Sequence, residues 1–350
     1  MFVKYNKVIT PKKLRKKVRL DKISKKIKES NDEAVKRIIS GEDKRFLIVC
    51  GPCGADNFGA VIEYCQRLHQ LSLKVKDKIF LMPRLYTAKA RSNGEGYLGM
   101  LFQPDNEVID INKGLVLSRK MLAKCIAITG LPIAEEFLFV EQLEYYSDLV
   151  SYFFLGARQS NSPFYRNVIS GLDVAVGIKN DLAGNVLNLA GSVHACRTPK
   201  TFLFKRGQVT TTGNGFSHGV LRGYVDETTG FYNNISQQNI DTLNEYCLEY
   251  GTQSDFVMVD CSHANSKKCA LNQIENALKT VTETTARGIM LESYLYGGTA
   301  ADVYGVSKTD ECLDWDNTEK LILQIYELLS EKEEKRAKSN TEIDKQKTDK

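Results

Sequence analysis

The sequence predicts a closed (β/α)8 barrel of the TIM type, and three observations carry that prediction. Eight short apolar runs rich in β-forming residues punctuate the chain. Amphipathic stretches of helical period follow most of them. Polar or charged residues end nearly every run, which is how barrel strands finish at the rim where active sites are built. Eight strands alternating with helices favour a closed barrel over an open doubly wound sheet.

Taken in order, the first strand is expected over 46–50, running into Gly51-Pro52-Cys53, with a helix over about 58–76. The second, 79–84, ends in Arg84 and is followed by Lys89 and Arg91, then a helix over 113–128. The third, 131–137, ends near Glu136, and the fourth, 152–157, runs into Arg158; helices follow over 141–150 and 163–170. The fifth, 175–179, ends in Lys179-Asn180 before a helix over 184–195. The sixth strand is expected over 201–204. A long loop rich in Thr and Gly follows over 205–234, carrying Leu221-Arg222-Gly223 and a small hairpin near Tyr224 and Tyr232, then a helix over 236–250. The seventh, 255–260, ends in Asp260-Cys261-Ser262-His263, and the eighth, 288–292, ends in Glu292; helices are expected over 268–286 and 317–332, with Asp310 in the last loop. This divides the chain into a basic N-terminal arm (1–45), the barrel (46–330) and a polar tail (331–350) expected to be disordered.

Composition agrees with a packed soluble core: 42% of the 350 residues are hydrophobic and 26% are charged. The longest apolar runs are too short to span a bilayer, and residues 1–29 are basic with no apolar leader core, so the protein is expected in the cytoplasm. Nine scattered cysteines argue against a disulfide scaffold. Cys50, Cys125 and Cys247 sit in apolar stretches and read as core residues; Cys50 and Cys53 form an isolated CxxC in which Cys50 faces the core. The net charge of +5 is uneven, with twelve Lys or Arg against one acid, Asp21, in residues 1–28. Binding to nucleic acid or a membrane surface is one reading of that arm. No aromatic ladder, zinc finger or RNP-like motif accompanies it, and a solvated arm or an oligomer contact are the others.

Each strand-end residue has a dull explanation when taken singly; an Arg or Lys is usually a surface charge and a lone His a satisfied structural residue. Their joint placement at one rim separates them by chemistry. Arg84, Lys89, Arg91, Arg158, Lys179 and Arg222 would converge on one mouth, where their mutual repulsion demands anions. Phosphates and a carboxylate suit such forks. Cys53, His263, Glu292 and Asp310 supply one thiolate, one imidazole and two carboxylates, a donor set for a divalent metal such as Mn, Fe, Co or Zn.

These motifs, in this order, resemble the type I 3-deoxy-D-arabino-heptulosonate 7-phosphate (DAHP) synthases: Gly51-Pro52-Cys53; Arg84-Leu-Tyr-Thr-Ala-Lys89-Ala-Arg91-Ser92; Gly156-Ala157-Arg158; Gly177-Ile-Lys179-Asn180; Leu221-Arg222-Gly223; Asp260-Cys-Ser-His263-Ala-Asn265; Glu292-Ser293; and Thr309-Asp310. The resemblance covers roughly residues 31–330. It implies condensation of phosphoenolpyruvate with erythrose 4-phosphate, the first step of the shikimate route to aromatic amino acids. It implies metal ligation by Cys53, His263, Glu292 and Asp310, with Cys53 and His263 counted as catalytic together with Lys89. It implies a phosphoenolpyruvate pocket of Arg84, Lys89, Glu136, Arg158, Lys179 and Arg222, an aldose-phosphate site at Arg91 and Ser92, and Lys89 as proton donor between the substrates. A homo-dimer or homo-tetramer is implied as well, with no membrane partner and no need of nucleic acid.

The chain departs from the family pattern in the loops that would meet the aldose. The usual Ser-Ile-His-Asp after Cys53 reads Gly54-Ala55-Asp56-Asn57, the usual Lys-Pro-Arg-Thr reads Lys89-Ala90-Arg91-Ser92, and lysines expected near 98 and 306 are Leu98 and Val306. The alternatives are therefore a paralogue taking a different sugar phosphate and a non-catalytic phosphate-binding regulatory protein.

Overall fold

In a computed structural model the described residues are all except Phe2, 92–93, 106–107, 227, 229, 254–255 and 349–350, with side chains described as far as Lys335. Two helices precede the barrel, α1 (Pro11–Lys17) and α2 (Lys22–Ser40). Then come β1 (Phe46–Gly51), α3 (Phe58–Val75), β2 (Ile79–Pro83), α4 (Ile111–Thr129), β3 (Ala134–Glu136), α5 (Glu141–Tyr146), β4 (Tyr152–Leu155), α6 (Pro163–Ile169), β5 (Ala175–Lys179) and α7 (Val186–Arg197). A hairpin of β6 (Thr201–Phe204) and β7 (Gly207–Thr210) precedes β8 (Ser217–Leu221), and a second hairpin, β9 (Tyr224–Asp226) and β10 (Gly230–Tyr232), follows it. The chain finishes with α8 (Gln237–Glu249), β11 (Val257–Asp260), α9 (Asn272–Glu283), β12 (Gly288–Glu292) and α10 (Trp315–Thr348).

Eight strands form one parallel sheet in the order β2-β1-β12-β11-β8-β5-β4-β3. A parallel bridge from Arg84 to Ala134 joins its two ends, with Leu85 N donating to Ala134 O at 2.8 Å, so the sheet closes into a barrel. The side-chain period of two splits each strand between two cores. Ile48, Cys50, Phe153, Leu155, Val176 and Ile289 pack outward under the helices. Leu47, Val49, Met82, Tyr152, Phe154, Val220, Met258 and Met290 fill the interior. Cys50 thus lies in the outer core, where burial pushes its thiol up to about 12. All nine cysteines are free thiols.

The basic N-terminal segment is folded onto the barrel. Asp21 caps α2, accepting from Ser24 N at 2.8 Å, and Gly41 ends it in the left-handed region at φ 85°. Val35, Ile38 and Ile39 fall on one face and join the interior core, so α2 closes the N-terminal end of the barrel. Arg287 Nη2 donates to Ile38 O and Asp43 O, both at 3.0 Å, holding the helix end in place. In α1, Leu14 is fully buried, and buried Arg119 donates to Val18 O at 2.7 Å just beyond the helix. The polar segment 331–350, expected to lack structure, continues the backbone of α10 to Thr348, and its side chains beyond Lys335 lie outside the described residues. No helix of the described residues is long and apolar enough to cross a membrane.

The expected sixth strand is corrected. Residues 201–204 pair with 207–210 outside the barrel, and the sixth barrel strand is β8, between β5 and β11. Thr201–Phe204 has the aromatic content of a strand, but none of its residues is buried. Ser217–Leu221 is buried throughout although it opens Ser-His-Gly. His218 points into the barrel, 2.5 Å from Tyr152 Oη and edge-on to Phe256. Gly219 allows close packing of the helix layer; a Cβ there would lie 2.6 Å from Leu243. A polar residue satisfied by a distant tyrosine gives no apolar-run signal in the sequence.

Burial lowers the His218 pKa from its ordinary 6.5 to about 3. The unfolded chain therefore takes up this proton first as pH falls, and the associated stability is present above 6.5 and is lost on descent toward 3. Urea titrations of wild type and His218→Leu should show the wild type's stability advantage shrinking as pH is lowered through this window; an advantage that stays constant would contradict a buried neutral His218.

Candidate active site

The site lies at the C-terminal ends of the barrel strands. Gly51 ends β1 against β2 so closely that a Cβ would sit 2.3 Å from Arg84 O, which leaves glycine as the residue that fits. The chain then delivers Pro52 and Cys53 to the mouth. Arg84 follows β2 and is fully buried, its Nη1 2.8 Å from Glu292 Oε1 and 3.2 Å from Pro52 O, with its guanidinium 3.9 Å from the Tyr86 ring. Among the described residues its Nε and Nη2 have no hydrogen-bond partner. Burial alone would raise the Glu292 carboxyl, but Arg84, then His263 and Lys89, pull it down to about 2, so Glu292 is ionised.

Cys53 Sγ, a Glu292 oxygen and an Asp310 oxygen lie within 4.8 Å of one another. Cys53 Sγ is 3.6 Å from Asp310 Oδ2, and Lys89 Nζ donates to Cys53 O at 2.8 Å and Sγ at 3.1 Å. His263 stands beside this trio rather than inside it, its Nε2 3.7 Å from Glu292 Oε1. Its other nitrogen, Nδ1, is 2.9 Å from Asp260 Oδ2 and 2.7 Å from Ser262 Oγ. That arrangement commits Nδ1 to a carboxylate and turns Nε2 toward the trio, the orientation a metal-ligating histidine takes. The donors fit a divalent ion: a thiol, two carboxylates and an oriented imidazole. Burial pushes the Cys53 thiol up, so ion binding would release its proton.

Asp260, at the end of β11, is the residue that sequence reasoning left without a role. Its Oδ2 faces both His263 and the Lys179 ammonium, the latter at 2.8 Å. Burial opposes its charge, but His263 and Lys179 together hold its carboxyl well below the usual range. Its signal was an Asp closing an apolar strand immediately before the Ser-His pair. Arg222 is buried, and its Nη1 has no hydrogen-bond partner among the described residues. Burial lowers its pKa; Asp260 opposes this and the nearby Arg158 charge adds to it. Its backbone is fixed by an amide network: Arg222 N donates to Asn180 Oδ1 at 2.9 Å, Gly223 N to Asn234 Oδ1 at 2.8 Å, and Asn234 N to Asn265 Oδ1 at 2.9 Å. Asn234 was missed in the sequence because it sits in a loop with no motif around it.

The remaining expected residues are less gathered. Glu136 is half-buried beside Gly156, and Arg158 is exposed at the end of β4. Arg91 turns to its own loop, its Nε donating to Glu95 O at 2.9 Å. Ser92 lies outside the described residues. One further carboxyl is buried beneath the second loop: Glu135 accepts from Thr87 N at 3.0 Å and Glu136 N at 2.9 Å, and burial raises its pKa to about 8.

A model of the DAHP synthetase I family matches residues 21–323. The chain belongs to that family. It is 33% identical over 308 residues to the Trp-sensitive phospho-2-dehydro-3-deoxyheptonate aldolase of Escherichia coli K12, covering 83% of this chain and 86% of the relative. It is 32% identical over 316 residues to the Tyr-sensitive enzyme of the same strain, covering 85% and 86%. The solved phospho-2-dehydro-3-deoxyheptonate aldolase of Francisella tularensis SCHU S4 superposes with a TM-score of 0.87 at 30% identity, covering 94% of this chain and 99% of that one. Membership of the DAHP synthetase I family agrees with the resemblance read from the motifs, and the barrel closure agrees with the predicted fold.

Asp260 is the test of the electrostatic arrangement. Asp260→Asn should leave the Lys179 ammonium buried without its counter-charge and cost about 3–5 kcal/mol in urea unfolding; a loss near zero would mean that Lys179 finds another partner.

Proposed function

We propose that this protein condenses phosphoenolpyruvate with erythrose 4-phosphate and water, giving DAHP and inorganic phosphate at the entry to the shikimate pathway. The observation that carries the reading is a set of buried guanidinium N–H groups left unpartnered, on Arg84 and Arg222, beside the Cys53, Glu292 and Asp310 group in a member of this family. Unpaired buried donors are costly, and a ligand bearing a phosphate and a carboxylate satisfies them.

Arg84, Arg158, Lys179 and Arg222 hold phosphoenolpyruvate through its two anionic groups, with Glu136 at the pocket wall. Arg91 and Ser92 take the phosphate of the aldose. Cys53, His263, Glu292 and Asp310 would hold the divalent ion, which supplies Lewis acidity toward the aldehyde oxygen when bound. Lys89 is charged: burial opposes its ammonium, but the neighbouring Cys53, Glu292 and Glu136 hold its pKa above the usual lysine range. It gives its proton to the aldehyde oxygen as C3 of the enol attacks the carbonyl carbon. Water adds at C2 and phosphate departs. Holding both substrates in register is worth about 7–11 kcal/mol in favourable cases. A cytoplasmic location and a homo-dimeric or homo-tetrameric assembly belong to the same proposal.

A second reading is favoured by one observation. The departures from the family pattern cluster at Gly54–Asn57, Ala90, Leu98 and Val306, in the loops that would meet the aldose on this reading. That supports a paralogue with a different preferred sugar phosphate.

Recombinant protein with Mn²⁺, phosphoenolpyruvate and a panel of aldose phosphates should release phosphate fastest with erythrose 4-phosphate; a clear preference for another aldose would select the second reading, and no turnover with any would reject both. Arg84→Lys, which keeps the charge but loses the fork, should raise the KM for phosphoenolpyruvate at least tenfold, on the order of 1.4 kcal/mol or more. An unchanged KM would remove Arg84 from the pocket.

A further inference from the structure

Asp56, in the loop after β1, is where three rim loops meet. Its side chain is 8% exposed. Its Oδ1 accepts from Tyr294 Oη at 2.9 Å, just beyond β12. Its Oδ2 accepts from the backbone N–H of Lys308 at 3.2 Å, two residues before Asp310. The Lys308 ammonium in turn lies over the ring of Tyr97 from the second loop, 5.5 Å from its centroid, and 2.6 Å from Asp302.

The chain between β12 and α10 forms isolated bridges rather than a strand or helix, with Gly298 N and Cys312 N each donating to the other's carbonyl, at 3.1 and 3.2 Å, and side-chain ties on either side of Asp310 add to this backbone frame. Downstream, Cys312 ties back to the first loop, with Cys53 N donating to its Sγ at 3.4 Å. Upstream, Asp56 makes the corresponding tie. A carboxylate can accept one donor on each oxygen, so Asp56 holds the Tyr294 hydroxyl and the Lys308 N–H at once.

We infer that Asp56 is a positioning residue that sets Asp310 in place for the divalent ion. The inference rests on the reading of Cys53, Glu292 and Asp310 as ligands. Without the Asp56 carboxylate, the Tyr294 hydroxyl and the Lys308 N–H lose their acceptor, and the backbone leading to Asp310 relaxes. Groups that orient ligands in this way typically contribute a factor of about 10–100 to metal affinity.

The experiment is a competition titration of Mn²⁺ against a chelating indicator, using full-length wild type, Asp310→Ala, Asp56→Ala, Asp56→Asn and Tyr294→Phe, with melting temperatures of the metal-free proteins alongside. Asp310→Ala should lose the site. Asp56→Ala should bind Mn²⁺ about 10–100-fold more weakly than wild type. Asp56→Asn, with one acceptor left, and Tyr294→Phe, with one donor removed, should fall between, and these two carry the test if Asp56→Ala does not fold. If Asp310→Ala loses Mn²⁺ while the Asp56 variants bind like wild type, even with lowered melting temperatures, Asp56 is merely structural and the inference is overturned. If wild type binds no Mn²⁺, or Asp310→Ala binds it unchanged, the ligand reading itself fails and takes the inference with it.

Discussion

The mouth of this barrel is organised around one buried ion pair, Arg84 with Glu292, 2.8 Å apart and both essentially out of water. A carboxylate this deep stays ionised chiefly because a fixed guanidinium faces it, with His263 and Lys89 adding to the effect. Ionised, it can serve as a donor toward the point shared with Cys53 and Asp310. The same pairing uses one Arg84 nitrogen and leaves two others in want of acceptors. One contact thus holds the Glu292 carboxylate as a potential metal donor and presents Arg84 as a potential anion site.

Asp260 repeats the device on the other side of the mouth. The Lys179 ammonium and the His263 Nδ1 share one of its oxygens. Around it the amides of Asn180, Asn234 and Asn265 tie the ends of β5 and β8 to the loop after β11. Charges are paired inward and amides hold the backbone, so the chain bearing Lys179, Arg222 and His263 is fixed from several sides. Pre-set polarity of this kind is what makes electrostatic stabilisation effective in a closed site.

Much of the fold was legible because burial on both faces of parallel strands writes itself as apolar runs. Seven of the eight barrel strands announced themselves in this way. The sixth did not, since β8 opens Ser217-His218-Gly219 and its histidine is accommodated only by Tyr152, 66 residues away. The hairpin strand Thr201–Phe204 imitated it, being aromatic and β-branched without being buried. At the site, residues in ordered motifs could be named from the sequence, whereas Asn234 and the partnership of Asp260 with Lys179 could not.

By itself, the order of residue types determined the alternation of elements, the rim on which chemistry would gather and the identity of most groups there, because local periodicity and strand-end position are properties of neighbours in the chain. The tertiary structure alone decided which strand completes the ring, that the basic N-terminal segment folds into helices with α2 closing the barrel's lower end, that His263 faces the Cys53, Glu292 and Asp310 trio from one side, and that Asp56 reaches the loop bearing Asp310. Each of these depends on atoms brought together from distant parts of the chain, and no local pattern encodes the distance between them.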